Sequence, residues 1–174
     1  MLKLIVLDRD GVINYDSPDY IKTLDEWQAI DGSLLAIAKL SQAGYRIAIA
    51  TNQSGIARKY FSVATLEAMH LKMLNEVKKM GGKIEAIFTC MHLPDAGCDC
   101  RKPKPGMLIQ ASQYFNVSAE EMIFIGDSQK DLEAAQSFAC PFILIGEAKN
   151  MQNTTGAKNL AQAAQMIIQR KGEQ

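Results

Sequence analysis

The chain has 174 residues, and its 19 acidic and 19 basic side chains leave no formal net charge. A hydrophobic fraction of 48% and a charged fraction of 22% are typical of a globular domain and argue against a disordered chain. Proteins that hold long nucleic acids through their phosphates carry a clear excess of basic residues. This chain lacks that excess, so we expect no nucleic-acid partner.

The length fits one domain, residues 1–174, which can bury a hydrophobic core without disulfide bonds. No apolar stretch approaches the roughly 20 residues that span a bilayer. The first apolar run is interrupted by Asp8, too early for the apolar part of a signal peptide. We therefore expect no membrane association and a cytoplasmic location.

Short apolar runs alternate along the chain with longer stretches of helical periodicity. The runs end abruptly in polar residues, as buried strands do. Residues that commonly cap helices flank the longer stretches, with Ser62 before one and Gly44 at the end of another. The predicted strands are residues 2–7, 45–51, 84–89, 122–126 and 141–146, and the predicted helices are 32–44, 62–80, 105–115, 131–138 and 159–170.

Apolar spacing also predicts which face of a helix is buried. Residues 146–158 are polar and mixed, so we expect a surface loop there. The buried face is assigned to Leu34, Leu35, Ala38 and Leu40 in the first helix and to Leu66, Met69, Met73 and Val77 in the second.

Alternating strands and helices predict an α/β fold, a single Rossmann-like domain whose parallel sheet is flanked by helices on both faces. Such sheets bind ligands at the carboxyl ends of their strands. The residues that follow each predicted strand are therefore the candidates for a functional site.

Three of the predicted strand ends carry oxygen-bearing side chains. Asp8 and Asp10 follow the first strand two positions apart, so extended backbone places both on one side. Thr51 and Asn52 end the second strand, and Asp127 follows the fourth. Carboxylates gathered in one crevice repel one another unless a cation neutralises them, and oxygen ligands suit Mg²⁺ bound together with a substrate phosphate. The pattern indicates a magnesium site in which one carboxylate attacks phosphorus and another moves the proton.

The segment CMHLPDAGCDC brings three cysteines and a histidine into one short loop. Three thiolates and an imidazole complete a tetrahedral zinc site with no open position for water, which predicts a structural metal. The spacing C-x-H-x5-C-x-C disfavours the alternative of free surface thiols beside a chance histidine. The predicted zinc ligands are Cys90, His92, Cys98 and Cys100.

The residues around this zinc loop and outside it have simpler predictions. Arg101 and Lys102 directly follow the last ligand, so zinc would fix two cations beside the phosphate site. Cys140 lies beside an apolar strand and is expected to be a small buried residue. His70, alone in its helix, is expected to be a surface or packing residue and not a ligand.

Four motifs, in order across nearly the whole chain, resemble those of the haloacid dehalogenase superfamily in the form that its phosphatases carry. They are DRDGV at 8–12, Thr51 at the end of an apolar strand, Lys102, and GDSQKD at 126–131. The resemblance implies a phosphatase that acts on a small-molecule phosphate ester, with Mg²⁺ as its catalytic cofactor and Zn²⁺ as a structural one.

The resemblance also implies a role for each motif residue. Asp8 would attack phosphorus, and Asp10 would protonate the leaving group and then activate water. Thr51 and Lys102 would hold the phosphoryl oxygens. Mg²⁺ would be bound by the Asp8 side chain, the Asp10 main-chain carbonyl and Asp127. Positioning and charge neutralisation of this kind are the main requirements of phosphoryl transfer.

The intervals between the motifs leave no room for a cap domain, so we expect a capless active site whose specificity comes from short loops. Two capless branches of the superfamily carry this kind of zinc loop. One removes the 7-phosphate of D-glycero-D-manno-heptose 1,7-bisphosphate in the making of lipopolysaccharide and other surface glycans, and the other acts on histidinol phosphate. TNQSGIAR at 51–58 and CRKPKPGM at 100–107 are more similar to the heptose branch.

Substrate contacts are also implied by this resemblance. Ser128 stands after Asp127, where some members of the heptose branch carry a lysine. The implied contacts are Asp16, Asp19 and Tyr20 from a flap at 16–20, together with Asn52, Gln53, Ser54 and Arg101.

Three alternatives accompany the heptose hypothesis. The first is a histidinol-phosphate phosphatase, and the second is a nucleic-acid 3′-phosphatase, which the neutral charge disfavours. The third is a non-catalytic, zinc-stabilised interaction module, which predicts the loss of a catalytic group, whereas the chain retains all of them. The resemblance implies a monomer.

Overall fold

A computed structural model describes residues 1–146 and 154–172. Within them, six strands form one parallel sheet in the order β3-β2-β1-β4-β5-β6, with helices on both faces. The strands are β1 (Leu4–Leu7), β2 (Arg46–Asn52), β3 (Ala86–Cys90), β4 (Met122–Gly126), β5 (Phe142–Ile145) and β6 (Gly156–Ala157), and the helices are α1 (Ser33–Gln42), α2 (Val63–Lys79), α3 (Gly106–Phe115), α4 (Gln129–Phe138) and α5 (Leu160–Gly172).

The first strand, β1, lies at the centre of the sheet between β2 and β4. Its four residues are completely buried, and alternate side chains enter two different hydrophobic clusters. Ile5 and Leu7 pack on the side of α1, α2 and α5, whereas Leu4 and Val6 pack on the side of α3 and α4. Burial on both faces explains why this strand is continuously apolar and not alternating.

The structure confirms the α/β fold and the five predicted strands and helices, with bounds that shift by a few residues. Helix α2 follows the prediction closely: the Ser62 hydroxyl accepts a hydrogen bond from the Thr65 amide, and all four assigned apolar residues are buried. Cys140 is buried, as predicted.

The predicted buried face of α1 was partly wrong. Leu35 is 48% exposed, whereas Ala36 and Ile37 are buried. The difference follows from how α1 begins. Ser33, its first residue, is buried, and its hydroxyl donates a 2.6 Å hydrogen bond to the Ile13 carbonyl. That anchor rotates the helix so that the side chains three, four and seven positions after Ser33 face the sheet.

The loop predicted at 146–158 was also partly wrong. Gly156 and Ala157 pair in parallel with the end of β5 and form β6. A strand of two residues is too short to produce an apolar run or an alternation, so its sequence carried no strand signal. Residues 147–153 of that prediction lie outside the described residues. Among the described residues, no helix is both long and apolar enough to cross a membrane.

Candidate active site

The carboxyl ends of the three central strands meet around Asp8. The Asp8 amide donates a 2.8 Å hydrogen bond to the Ile125 carbonyl of β4, which continues the strand pairing by one residue. On its other side lies β2, which ends in Thr51 and Asn52, and Asp127 directly follows β4. The sheet therefore brings together residues that lie more than a hundred positions apart in the chain.

A cavity of about 280 Å³ opens above these strand ends. Two of the predicted catalytic and substrate-binding residues do not line it. Thr51 is completely buried and its hydroxyl accepts a 2.8 Å hydrogen bond from the Gln53 amide, while Asp19 lines an adjacent groove outside the flap. The lining residues are Asp8, Asp10, Asp16, Ser17, Pro18, Tyr20, Ile21, Asn52, Gln53, Ser54, Arg101, Lys102, Asp127, Ser128 and Lys130.

Lys102 is a buried cation beneath Asp8, with only 3% of its side chain exposed. Its ammonium group lies 2.8 Å from Asp8 Oδ1 and 2.6 Å from Asp131 Oδ1, and it donates a 2.9 Å hydrogen bond to the Ala50 carbonyl. The ammonium group therefore lies between two carboxylates, both within ion-pair distance. Lys102 therefore holds Asp8 in place and neutralises part of its charge.

Asn52 positions Lys102 through a pair of hydrogen bonds. Its side-chain amide donates to the Lys102 carbonyl and its oxygen accepts from the Lys102 amide, both at 3.1 Å. The pair fixes the main chain that follows the cysteine loop against the end of β2. The Asn52 side-chain amide therefore bonds to the main chain of Lys102, and Asn52 also lines the cavity.

The pKa shifts of this cluster reflect three carboxylates around one cation. Burial and the Asp131 charge raise the pKa of Asp8 well above its usual range, although Lys102 opposes the shift. Burial, together with Asp131 and Asp16, raises the pKa of Asp127 to about 6. Burial disfavours the charged form of Lys102 and lowers its pKa. The adjacent Asp8 and Asp131 carboxylates have the larger effect and raise the pKa of Lys102 to about 12.

The oxygens of Asp8, Asp127 and Asp131 lie within 4.8 Å of one another, which fits a hard cation. Gly11 makes this approach possible. A Cβ atom there would lie 1.9 Å from Asp127 Oδ2, and the residue has φ +79, which favours glycine. The glycine after the two aspartates is therefore needed to admit the carboxylate of the neighbouring strand end.

Asp10 is held by donors from three residues. Arg9 donates from Nε to Oδ1 at 3.0 Å and from Nη2 to Oδ2 at 3.1 Å. The Asn14 amide donates to Oδ1 at 2.8 Å, and the Gln53 amide donates to Oδ2 at 2.9 Å. Asp10 nevertheless keeps 21% of its side chain exposed toward the cavity.

His70 lies behind Arg9, on α2. Its Nε2 atom is 3.5 Å from Arg9 Nη1. Burial and the Arg9 charge lower the pKa of His70 to about 4, so the ring is neutral near pH 7. This contact is consistent with the packing role predicted for His70.

The flap at 16–20 forms one wall of the cavity. Burial raises the pKa of the Asp16 carboxyl, which faces Asp10. Tyr20 adopts a positive φ of 67° and packs edge-on against Tyr60, with ring centroids 5.1 Å apart. The aromatic contact ties the flap to the loop that follows β2.

The cysteine loop gathers four potential ligands, each offering one atom within 4.8 Å of the others. Cys90 Sγ lies 3.6 Å from His92 Nδ1 and 3.8 Å from Cys98 Sγ, and Cys100 Sγ lies 3.3 Å from His92 Nδ1. A tetrahedron with metal–sulfur bonds of about 2.3 Å has edges of about 3.8 Å, so the cluster fits one zinc-sized ion. The cysteines form no disulfide.

The cysteine loop also positions Arg101. The Arg101 guanidinium donates a 3.3 Å hydrogen bond to the His92 carbonyl, so a candidate metal ligand and a cavity-lining cation are directly connected. The cysteine loop is therefore connected to the cavity wall through Arg101.

Three residues of the site were missed or given no role in the sequence analysis. Arg9 is 1% exposed, and a charged residue next to a buried apolar strand was the available signal. Asp131 is completely buried; its position one helical turn after Asp127 groups it with the other carboxylates but did not predict its contact with Lys102. Lys130 lines the cavity, but nothing in its local sequence distinguished it from an exposed helix residue.

Comparisons with known proteins show the family of this chain. Residues 11–138 match the family described as haloacid dehalogenase-like hydrolase. The chain is 54% identical over 149 residues to the D-glycero-beta-D-manno-heptose-1,7-bisphosphate 7-phosphatase of Pseudomonas aeruginosa, covering 86% of this chain and 84% of that protein. It is also 54% identical over 148 residues to the protein of the same name from Pseudomonas putida, covering 85% of each.

A solved structure is similar over almost the whole chain. It is described as D,D-heptose 1,7-bisphosphate phosphatase from B. bronchiseptica complexed with magnesium and phosphate. The TM-score is 0.93 at 43% sequence identity, covering 97% of this chain and 99% of that one.

Proposed function

Because this chain belongs to the haloacid dehalogenase-like hydrolase family and is a phosphatase, we propose that it hydrolyses the 7-phosphate of D-glycero-β-D-manno-heptose 1,7-bisphosphate in a Mg²⁺-dependent reaction. The products are heptose 1-phosphate and inorganic phosphate. The observation that supports the mechanism most strongly is the contact between Asp8 and the buried Lys102 ammonium group. Asp8 and Asp10 both line the cavity. The names of relatives at 54% identity support the substrate and its anomer.

The reaction proceeds in two steps that use Asp8 and Asp10. A carboxylate oxygen of Asp8 attacks phosphorus, and the bond between phosphorus and the sugar oxygen breaks as Asp10 donates its proton to that oxygen. Asp10, now ionised, takes a proton from water as the water attacks the phosphoaspartate. Phosphate leaves, Asp8 is regenerated, and Asp10 carries the proton again.

The second phosphate of the substrate has cationic partners on the cavity wall. Arg101 and Lys130 both line the cavity, and neither takes part in the buried Asp8–Lys102 cluster. Both side chains are therefore available to a second anionic group of the substrate. Their presence therefore supports a bisphosphate substrate. Lys130 lies two positions after Ser128, and both residues line the cavity.

Mg²⁺ would be held by the Asp8 side chain, the Asp10 main-chain carbonyl and Asp127. When bound, it would neutralise the carboxylates and stabilise charge on the phosphoryl oxygens. The chain's own contribution is to hold the Asp8 and Asp127 carboxylates close together, with Gly11 leaving room for Asp127.

Mg²⁺ is expected to raise the unfolding temperature more at about pH 7.5 than at about pH 5, because it binds the ionised form of carboxylates. The pKa of Asp127 is about 6 in the metal-free chain, so its ionised fraction falls as the pH drops through that value. Apparent affinity should be about tenfold lower one pH unit below the pKa. Thermal unfolding at increasing Mg²⁺ concentration checks this, and equal temperature increments at both pH values would contradict it. Asp127→Asn should remove most of the increment.

We expect the cysteine loop to hold structural zinc, and Cys98→Ser to weaken zinc binding at least about 10- to 100-fold, the loss that even outer-shell substitutions cause. Metal analysis of the purified variant, with a competing chelator, measures this. Cys140→Ala is the matched control, because Cys140 is a buried cysteine outside the four-residue cluster. Equal zinc content in both variants would argue against the loop as the site.

Phosphate release from a panel of esters tests the substrate. The panel contains both anomers of heptose 1,7-bisphosphate, histidinol phosphate and fructose 1,6-bisphosphate, each with Mg²⁺. The proposal expects the highest kcat/KM for the β anomer. A higher value for histidinol phosphate would reject the heptose assignment while leaving the phosphatase mechanism in place.

A further inference from the structure

We propose that Arg9 is a positioning residue for Asp10, with His70 supporting Arg9 from behind. This inference rests on the proposed role of Asp10 as the group that donates and then accepts the proton. It assigns a function to the residue between the two aspartates and to the single histidine of α2, neither of which touches the cavity.

Arg9 directs two of its three guanidinium nitrogens at the Asp10 carboxylate. Nε lies 3.0 Å from Oδ1, and Nη2 lies 3.1 Å from Oδ2 and 2.8 Å from Oδ1. The guanidinium is rigid and planar, so a two-pronged contact fixes the plane of the carboxylate as well as its distance. An ammonium group could supply the charge but not that fork.

The third nitrogen of Arg9 is held from the opposite side. Nη1 lies 3.5 Å from Nε2 of His70, which α2 carries. The main chain of Arg9 is fixed as well, because its carbonyl accepts hydrogen bonds from the Ile13 and Asn14 amides at 2.8 and 3.2 Å. With 1% exposure, Arg9 has little freedom to leave Asp10.

The other contacts of Asp10 show why Arg9 matters for the reaction. Asn14 and Gln53 each donate a single bond, and Gln53 shares its amide with Thr51. A general acid must lie within about 2.6–3.2 Å of the atom it protonates. A displacement of about 1 Å can lower a rate on the order of 100-fold. The fork from Arg9 holds the carboxylate from its buried side and leaves the opposite side facing the cavity.

The test compares esters whose leaving groups differ in their need for a proton. An alkyl phosphate must receive the proton from Asp10 as its bond breaks, whereas 2,4-dinitrophenyl phosphate releases a stable phenolate without one. The value of kcat/KM reports the steps up to bond cleavage. In Arg9→Gln, kcat/KM for the alkyl ester is expected to fall about 10- to 100-fold, and that for the aryl ester less than about threefold. Equal losses on both esters, or no loss on either, would overturn the proposal.

Two further variants keep the result interpretable if Arg9→Gln folds poorly. Arg9→Lys keeps the charge without the fork and should recover part of the alkyl activity. His70→Leu, on α2, keeps the Asp10 and Arg9 side chains but removes the contact behind Arg9, and it should lower the alkyl-to-aryl ratio a few-fold. An unchanged ratio in all three variants contradicts the proposal.

Ser33→Ala is the matched control, because the Ser33 hydroxyl bonds the Ile13 carbonyl of the same loop without touching Asp10. It should lower stability without changing the ratio. The alkyl ester is whichever member of the panel the wild type hydrolyses fastest. A wrong heptose assignment therefore shows as a different best substrate, whereas a wrong role for Arg9 shows as an unchanged ratio.

Discussion

Asp8→Asn is expected to lower kcat by a factor of about 10⁴ or more, the size of loss that follows removal of an enzymic nucleophile. The amide is neutral and a far weaker nucleophile than the carboxylate that the buried Lys102 holds at 2.8 Å. Because asparagine has nearly the same shape, the cavity and the hydrogen bond from the Asp8 amide to β4 should persist. The loss should therefore be one of chemistry and not of folding.

The measurement is phosphate release together with trapping of the covalent intermediate. Acid quenching of the wild type during turnover of 2,4-dinitrophenyl phosphate should yield protein-bound phosphate, and the Asp8→Asn variant should yield none. Asp31→Asn is the matched control, since Asp31 is an exposed aspartate in the same β1–α1 segment and does not line the cavity. Residual turnover within about tenfold of the wild type would reject Asp8 as the nucleophile.

Much of the site was predictable because parallel sheets bring their carboxyl ends together. Asp8, Thr51 and Asp127 each follow an apolar run, and the strand order places the first of them between the other two. Local sequence was sufficient to find them, because each strand end is visible as an abrupt change from apolar to polar residues. Local sequence was also sufficient for the cysteine loop, whose four candidate ligands lie within eleven consecutive residues.

The sequence analysis did not predict contacts between residues that are distant in the chain and share no local pattern. The Asn52 side-chain amide bonds to the Lys102 main chain 50 positions away, and Arg9 Nη1 lies 3.5 Å from a histidine 61 positions away. The exposure of Leu35 and the formation of the short strand β6 also depend on contacts with distant parts of the chain. Helix rotation was decided by one buried hydroxyl, and the pairing of β6 by a neighbouring strand. Such features are set by tertiary contacts, which neither residue propensity nor apolar periodicity predicts.

Lys102→Met is expected to destabilise the fold by about 3–5 kcal/mol, the usual result of removing one partner from a buried ion pair. Two carboxylates, Asp8 and Asp131, would then share a buried site without the ammonium group that lies 2.8 and 2.6 Å from them. Turnover should fall by about 10²- to 10³-fold as well, since the same cation would face the phosphoryl group. Lys104→Met is the matched control, because the half-exposed Lys104 side chain contacts the exposed Asp99 carboxylate and the Gly97 carbonyl in the same segment and no buried carboxylate among the described residues.

The destabilisation should depend on pH in a defined direction. The pKa of Asp8 is already raised by burial and by Asp131, and Lys102 is the group that opposes the shift. Without Lys102 the pKa of Asp8 rises further. A carboxyl with a higher pKa in the folded state contributes stability at low pH that is lost as the pH rises through that pKa. The stability difference between variant and wild type should therefore be smaller at about pH 5 than at about pH 8.

Urea unfolding at the two pH values measures this difference, and a double variant isolates its cause. Adding Asp131→Asn to Lys102→Met removes one of the two unpaired charges while keeping nearly the same shape beside Ser128. The double variant should be more stable than Lys102→Met alone, with a coupling energy of about 1–3 kcal/mol between the two positions. If the double variant were instead less stable, the loss in Lys102→Met would arise from packing and not from charge. The buried lysine would then be a structural residue that the active site happens to share, and its expected effect on turnover would have to come through misplacement of Asp8.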